Sequence, residues 1–261
     1  MVTICIIPAR FASTRFPGKP LALLQKKPLI QHVYEKAKIS HFIDDVFVAT
    51  DDERILKCVE SFGGKAIITS KTHPSGTDRI AEAVDSLIKK GYNLEGDSIV
   101  INVQGDEPMI KPEMIEQLVK LMKEGYNVDE TSQLIGTLVT KIDDEKIFKN
   151  PNIVKAVFDE IGYALYFSRS PIPFDREKFI KGDSTNNFMY KHIGIYGYTV
   201  EILKKFVTLP QSTLEKVESL EQLRALENGI KIKVNITEYD SFGIDTPEDL
   251  EVAEKCLSTY L

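Results

Sequence analysis

The residues best suited to chemistry stand in one early loop, Pro8-Ala9-Arg10-Phe11-Ala12-Ser13-Thr14-Arg15-Phe16-Pro17-Gly18-Lys19-Pro20, directly after an apolar run ending at Ile7. Arg10, Arg15 and Lys19 supply fork-shaped and point-charge donors, and Ser13, Thr14 and Gly18 let backbone N–H groups approach phosphate oxygens. The loop has the composition of a phosphate cradle. It is not a Walker A loop, because Pro20 follows Gly18-Lys19 where that motif needs Ser or Thr, and the Gly-rich dinucleotide fingerprint is absent. The competing reading of Arg10 and Arg15 is surface ion pairing, against which stands their Gly, Ser and Pro context.

A second cluster, Val103-Gln104-Gly105-Asp106-Glu107-Pro108, ends an apolar strand-like run. An acid beside a phosphate loop is repulsive unless a divalent cation lies between them, so Asp106 suggests Mg²⁺ shared with nucleotide phosphates. Mg²⁺ in such sites takes one or two protein carboxylates, and the best distant candidate for a second is Asp245, in Gly243-Ile244-Asp245-Thr246-Pro247-Glu248-Asp249-Leu250. The alternative is that Asp245 only caps the helix that follows.

The elements that must position these groups are legible as a rhythm. Val2 to Ile7, Val46 to Thr50, Ala66 to Thr69 and Ser98 to Val103 are short β-branched runs of the kind buried on both faces of a sheet. Between them, Leu29, Ile30, Val33, Tyr34 and Ala37 share one helical face, as do Ile80, Ala83, Val84 and Leu87, then Met114, Ile115, Leu118, Val119 and Met122. The alternation predicts right-handed crossovers and a mainly parallel sheet with helices on both sides. In parallel sheets of this kind ligands bind beyond the carboxyl ends of strands, where both suspicious loops begin.

Beyond about Gly125, strand-like segments follow one another: Gln133 to Lys141, Ile153 to Asp159, Ala164 to Ser168 and Phe188 to Tyr198. They predict added strands, some antiparallel. Ser170 to Asn187 mixes prolines, charges and aromatics and reads as an excursion that meets a partner subunit. Ser212 to Asn228 reads as one helix, Lys231 to Thr237 as a strand, and Thr246 to Leu257 as a closing helix with Thr246 as N-cap before Pro247.

Whole-chain composition sets limits on function. The 261 residues, 43% of them hydrophobic, allow a large core in a single domain over 1–261. A net charge of -6 argues against a general nucleic-acid or anionic-membrane binder, so positive charge must act locally. Cys5, Cys58 and Cys256 are odd in number and embedded in apolar segments, which predicts buried free thiols and a reducing compartment. Met1 to Ile7 lacks the basic start of a signal peptide, and no apolar run approaches the roughly 18 residues of a membrane span, so a cytoplasmic protein is expected.

Taken together, Phe11 to Pro20, Asn102 to Pro108, Tyr163 to Arg169, His192 to Tyr198, Leu220 to Arg224 and Asp245 to Asp249 resemble the blocks of the 3-deoxy-manno-octulosonate cytidylyltransferases, or CMP-Kdo synthetases, over essentially the whole chain. Phe174 stands where relatives often carry Trp and Thr213 where some carry Pro, both conservative departures. The resemblance implies a Rossmann-like nucleotide-diphospho-sugar transferase fold and a homodimer. The implied reaction is CTP plus Kdo giving CMP-Kdo and pyrophosphate with Mg²⁺, for lipopolysaccharide biosynthesis, the sugar's anomeric hydroxyl attacking the α-phosphorus directly.

The same resemblance distributes roles. Arg10, Ser13, Arg15 and Lys19 match triphosphate-binding positions, with Lys19 stabilising charge at the α-phosphate and the leaving pyrophosphate. Lys19, Arg10 and Asp106 form the expected catalytic set, and Asp106 and Asp245 the Mg²⁺ ligands. The loop His73 to Arg79 matches the base-binding region, with Ser75 and Arg79 singled out; a cap by Ser75 or Thr77 is the parallel reading. Arg169 fits the sugar carboxylate, and His192, Tyr196, Glu221 and Gln222 match sugar-binding positions. Alternation about Gly194 puts His192 and Tyr196 on one strand face, while adjacent helical positions cannot aim Glu221 and Gln222 alike. Gln104 is placed to touch either substrate. His192 is the one alternative general base. Competing functions are CMP activation of another keto-acid sugar, such as a sialic acid or amino-Kdo, and a nucleotide-sugar sensor without turnover, which should have lost Lys19, Asp106 or Asp245.

Overall fold

The structure is a computed structural model and describes residues 1–13, 15–129, 134–181 and 188–258. Strands, in chain order, are β1 (Thr3–Ala9), β2 (Leu23–Leu24), β3 (Lys27–Pro28), β4 (Asp45–Thr50), β5 (Ala66–Ile68), β6 (Ile99–Asn102), β7 (Ile135–Lys141), β8 (Lys155–Phe158), β9 (Ala164–Ser168), β10 (Tyr190–Thr199) and β11 (Ile232–Thr237). Helices are α1 (Leu29–Ile39), α2 (Glu53–Ser61), α3 (Gly76–Lys89), α4 (Pro112–Asp129), α5 (Glu145–Lys149), α6 (Arg176–Lys181), α7 (Val200–Thr208), α8 (Thr213–Glu218), α9 (Leu223–Glu227) and α10 (Pro247–Ser258).

All strands but β2 and β3 form one mixed sheet with the order β11-β7-β10-β6-β1-β4-β5, and β8 joins β9 to β10. β1 pairs in parallel with β4 and β6, and β7 with β11, whereas β10 runs antiparallel to β6, β7 and β8. The expected α/β class and added antiparallel strands are both present. Every residue of β1 is buried, and its side chains alternate between two cores: Ile4 and Ile6 pack on the α3 and α7 side, Cys5 and Ile7 on the α1 and α4 side. Each such aliphatic side chain contributes about 1.5–3 kcal/mol by leaving water, which fixes β1 as an interior strand of the sheet. The strand order turns back between β1 and β6, and a crevice opens beyond their carboxyl ends.

Several expectations need correction. Ser212 to Asn228 is two short helices: Ser219 adopts a left-handed conformation (φ 53°), ends α8, and leaves Glu221 and Gln222 in the turn before α9. Cys5 is buried, but Cys58 and Cys256 are only half-buried. α2, α5, α6 and α7 were not read from the sequence. Thr14, Gln133 and residues 182–187 of the predicted excursion lie outside the described residues. The Thr246 cap is present, its Oγ1 accepting from the Asp249 N–H at 3.2 Å.

Candidate active site

Three loops far apart in sequence meet at the crevice. Gly105 follows β6 closely enough that a Cβ there would lie 2.9 Å from the Pro8 carbonyl, so only glycine lets the two strand ends touch. The Asp106 carbonyl accepts from the Ile244 N–H at 2.8 Å, bringing in the loop before α10. In the opening loop, Gly18 takes a positive φ of 71° and donates its N–H to the Phe11 carbonyl at 2.9 Å, closing the cradle and turning Lys19 inward.

Lys19 is the junction. Its Nζ donates to Asp106 Oδ2 at 2.6 Å and to Asp245 Oδ1 at 3.0 Å, while Arg15 pairs with Asp245 Oδ2 at 2.9 Å. Burial alone would push the Asp245 carboxyl up, but the Lys19 hydrogen bond and the Lys19 and Arg15 charges outweigh it and hold its pKa below the usual range. The Lys19 side chain is 11% exposed against 31% for Asp106 and 46% for Asp245, so the carboxylates rather than the ammonium face the opening. Two carboxylates converging on one cation fit Mg²⁺, with Lys19 standing where positive charge is needed. Among the described residues no cluster of three or more His, Cys, Asp and Glu side chains is arranged to hold a metal. That donor set suits an ion whose shell is completed by phosphates and water.

On one side of this junction lies a cleft of about 230 Å³ lined by Arg10, Ser13, Lys19, Ser75, Gly76, Arg79, Gln104 and Asp106, among others. It gathers every nucleotide-side residue read from the sequence except Arg15. Arg10 is exposed at the end of β1. Ser13 Oγ accepts from the Phe16 N–H at 3.3 Å and Gln104 Nε2 donates to Asn102 Oδ1 at 3.2 Å. Ser75 does cap α3, accepting from the Asp78 N–H at 3.2 Å, and this sets the positive end of α3 at the cleft wall. Arg79 is buried and committed: Nη1 donates to Thr69 Oγ1 at 2.6 Å and Nη2 to Asp51 Oδ2 at 3.1 Å, so it ties the strand ends of β4 and β5 together at the cleft wall.

On the other side lies a cleft of about 840 Å³ whose walls include Arg15, Glu107, Asn150, Pro151, Arg169, Lys191, His192, Ser241 and Asp245. Arg169 donates Nε to the Glu218 carbonyl at 2.8 Å, Nη1 to the Pro151 carbonyl at 3.1 Å and Nη2 to the Ser219 carbonyl at 3.4 Å, which leaves two of its N–H groups for a ligand. His192 is neutral: burial lowers its pKa to about 3. The Thr137 hydroxyl donates to the Ile195 carbonyl at 2.8 Å, so the 2.9 Å contact with His192 requires Nε2 to be the donor and leaves Nδ1 as an acceptor. This counts against His192 as the general base and suits a hydrogen bond from a sugar hydroxyl.

Register along β10 shifts against β7 between Ile193 and Tyr196, yet His192 and Tyr196 stay on one face with ring centroids 5.3 Å apart. Tyr196 stands behind His192 in an aromatic row with Tyr198 and lines neither of the two clefts above. Glu221 lines a third cleft that shares Ser75 with the first and Ser219 with the second. Its Oε2 accepts from Thr77 Oγ1 at 2.5 Å, while Oε1 is buried 3.7 Å from Arg224 Nη2 and accepts no hydrogen bond among the described residues; burial raises its pKa against the Thr77 and Ser75 hydrogen bonds and the Arg224 charge. Gln222 is buried in the turn. The structure thus joins Lys19, Asp106 and Asp245, and keeps Glu221 at a wall apart from Arg169 and His192.

Two residues of this region were not singled out from sequence. Glu107 is buried, accepts from Ser241 Oγ at 2.8 Å, and is pushed up to about 7 by burial and then by the Asp106 charge. Its signal was present as the second of two adjacent acids. Lys155 is completely buried at the start of β8 and had no distinguishing signal.

Comparison with known proteins shows the family to which the chain belongs. A family profile described as Cytidylyltransferase matches residues 4–232. The chain is 75% identical, over the full length of both, to the 3-deoxy-manno-octulosonate cytidylyltransferase of Thermodesulfovibrio yellowstonii. It is 49% identical to the 8-amino-3,8-dideoxy-manno-octulosonate cytidylyltransferase of Shewanella pealeana, with 97% of each chain covered. A solved CMP:2-keto-3-deoxy-manno-octonic acid synthetase complexed with CTP superimposes over 100% of both chains with a TM-score of 0.87 at 40% identity. The chain belongs to the cytidylyltransferase family, and within it to the 3-deoxy-manno-octulosonate cytidylyltransferases.

Proposed function

We propose that this cytidylyltransferase, which activates Kdo with CTP for lipopolysaccharide synthesis, works at the junction of its two clefts, with Mg²⁺ held by Asp106 and Asp245. The observation that carries this reading is the convergence of both carboxylates on Lys19 Nζ, at the boundary between the Arg10 cleft and the Arg169 cleft. Bound Mg²⁺ supplies charge neutralisation at phosphate oxygens and acidifies the attacking hydroxyl. Arg10, Ser13, Arg15 and the N-terminus of α3 receive the triphosphate, and Ser75, Arg79 and Gln104 border the base. Lys19, once its carboxylates serve another cation, offers its ammonium to the α-phosphate and the leaving pyrophosphate. Arg169 meets the sugar carboxylate, and His192 accepts from a sugar hydroxyl. The anomeric oxygen forms the new P–O bond, the α–β bridging bond breaks, and the hydroxyl proton leaves to solvent. With a neutral, weakly basic His192, the chain needs no dedicated base.

Pyrophosphate release from CTP, Kdo and Mg²⁺ tests the reading, and release no greater than from Lys19→Ala would sink it. Competition between Kdo and its 8-amino analogue, compared as kcat/KM, separates this substrate from that of the 49% identical relatives. The sensor alternative predicts no turnover at all. We also propose a cytoplasmic homodimer. Among the described residues no helix is long and apolar enough to cross a membrane, and the exposed Phe174 and Ile180 lie within, and Phe188 directly after, the excursion expected to meet a partner subunit. A monomeric mass in sedimentation would remove the dimer.

A further inference from the structure

Among the described residues Lys155 is the one lysine with no exposed surface, and no described carboxylate pairs with its ammonium. Its Nζ donates to three carbonyls: Asn150 at 2.9 Å, Ile153 at 2.5 Å and Arg169 at 2.5 Å. Three donors meet three acceptors, so the group is fully satisfied only while protonated. Burial, then the neighbouring Arg169 charge, lower its pKa, and Glu218 opposes them; the three carbonyls favour the cation in the same place.

The carbonyls it gathers are not scattered. Asn150 and Ile153 bracket Pro151, whose own carbonyl accepts from Arg169 Nη1 at 3.1 Å, and all three line the sugar-side cleft. The Lys155 backbone lies between β9 and β10, opposite Ser168 on one side and Lys191 on the other. From the far side, the Glu218 carboxylate accepts from Ser168 Oγ at 2.6 Å and from the Arg169 N–H at 2.9 Å. Arg169 is therefore clamped twice: its backbone by Lys155 and Glu218, its guanidinium by carbonyls of the 150–153 loop and of the α8 end. A lysine buried for fold stability alone is ordinarily paired with an acid; this one is spent on the loop and strand end that aim a cation into the cleft.

We propose that Lys155 is a positioning residue for sugar binding: its buried ammonium draws the 150–153 loop onto the carbonyl of Arg169 and so fixes the direction in which the Arg169 guanidinium meets the sugar carboxylate. The proposal rests on the reading that Arg169 contacts that carboxylate. Using neutral carbonyls as partners has a chemical consequence. They orient the two cations without forming an ion pair with either, so the guanidinium charge stays available to an anionic sugar.

A double-mutant cycle on the full-length protein tests it, with KM measured separately for Kdo and for CTP, and folding checked by circular dichroism and thermal unfolding. Arg169→Met alone establishes the underlying reading, which fails if the Kdo KM stays at its wild-type value. Given a raised KM there, Lys155→Met is expected to raise the Kdo KM about tenfold with the CTP KM unchanged, and to add less than about twofold in the Arg169→Met background. Lys155→Gln, which retains one donor group, should fall between Lys155→Met and wild type. An unchanged Kdo KM in a folded Lys155 variant, equal effects on both substrates, or full additivity with Arg169→Met each overturns the proposal. Failure of both Lys155 variants to fold also overturns it, because it assigns the lysine to the fold instead.

Discussion

The Lys19 junction and the Arg169 wall hold their cations in opposite ways. At the junction Lys19 and Arg15 are held by carboxylates, Asp106 and Asp245, at 2.6–3.0 Å. At the Arg169 wall the Lys155 ammonium and the Arg169 guanidinium are held by backbone carbonyls, at 2.5–3.4 Å, whereas Lys191 of the same cleft pairs with Asp240 at 2.7 Å. Carboxylates cancel charge and can exchange one cation for another, which suits the Mg²⁺ and triphosphate proposed for the junction. Carbonyls fix a direction and leave the charge standing, which suits capture of a single carboxylate. One side is built for exchange and the other for alignment.

Substitutions break this contrast in graded fashion. Asp106→Asn removes an exchangeable carboxylate and should lower kcat for pyrophosphate release about 10³-fold, the scale on which losing one transition-state electrostatic contact acts. Arg169→Met, on the aligned side, should raise the Kdo KM about 10²-fold while the CTP KM holds, as expected for a charge-assisted hydrogen bond worth about 2–3 kcal/mol. Equal changes in both KM values would erase the division between the clefts.

A smaller effect comes from His192, whose pKa is about 3 in the fold against an ordinary 6.5. The unfolded chain binds its proton first as pH falls, so the stability contribution is complete above about pH 6.5 and is lost progressively toward pH 3. Urea unfolding at pH 7, 6 and 5 should show wild type losing about 1 kcal/mol per pH unit more than His192→Asn below pH 6.5. Parallel pH profiles would show that the imidazole is not held neutral. The smallest change is expected at Gly18, where φ is 71° and a Cβ would meet the Phe11 ring at 3.0 Å. Gly18→Ala should cost about 1 kcal/mol, read as a several-fold higher CTP KM with the Kdo KM unmoved.

What the residues disclosed beforehand divides along the same line. Buried runs such as Ile4 to Ile7 declare a central strand, and a cation-rich loop after it declares phosphate chemistry, because side-chain type carries both signals. Asp106 was legible as an acid at the same sheet edge as the cation loop, and it meets Lys19 there at 2.6 Å. Carbonyl clamps carry no such signal: every residue has a carbonyl, and only the meeting of β8, β9 and the 150–153 loop aims three of them at Lys155. The break at Ser219 was equally hidden, since a left-handed serine carries none of glycine's warning and moves Glu221 off the expected helix. α2 was missed despite an available signal, for Asp52 caps it at 2.9 Å and Ile55 and Val59 mark its buried face.

The central claim is that Asp106 and Asp245 hold the metal that takes over from Lys19. Calorimetric titration of CTP with and without Mg²⁺ tests it most directly, run on wild type, Asp106→Asn and Asp245→Asn. The geometry predicts that Mg²⁺ tightens CTP binding at least about tenfold in wild type and that either substitution abolishes most of that gain. The same Mg²⁺-dependent gain in all three proteins would contradict it.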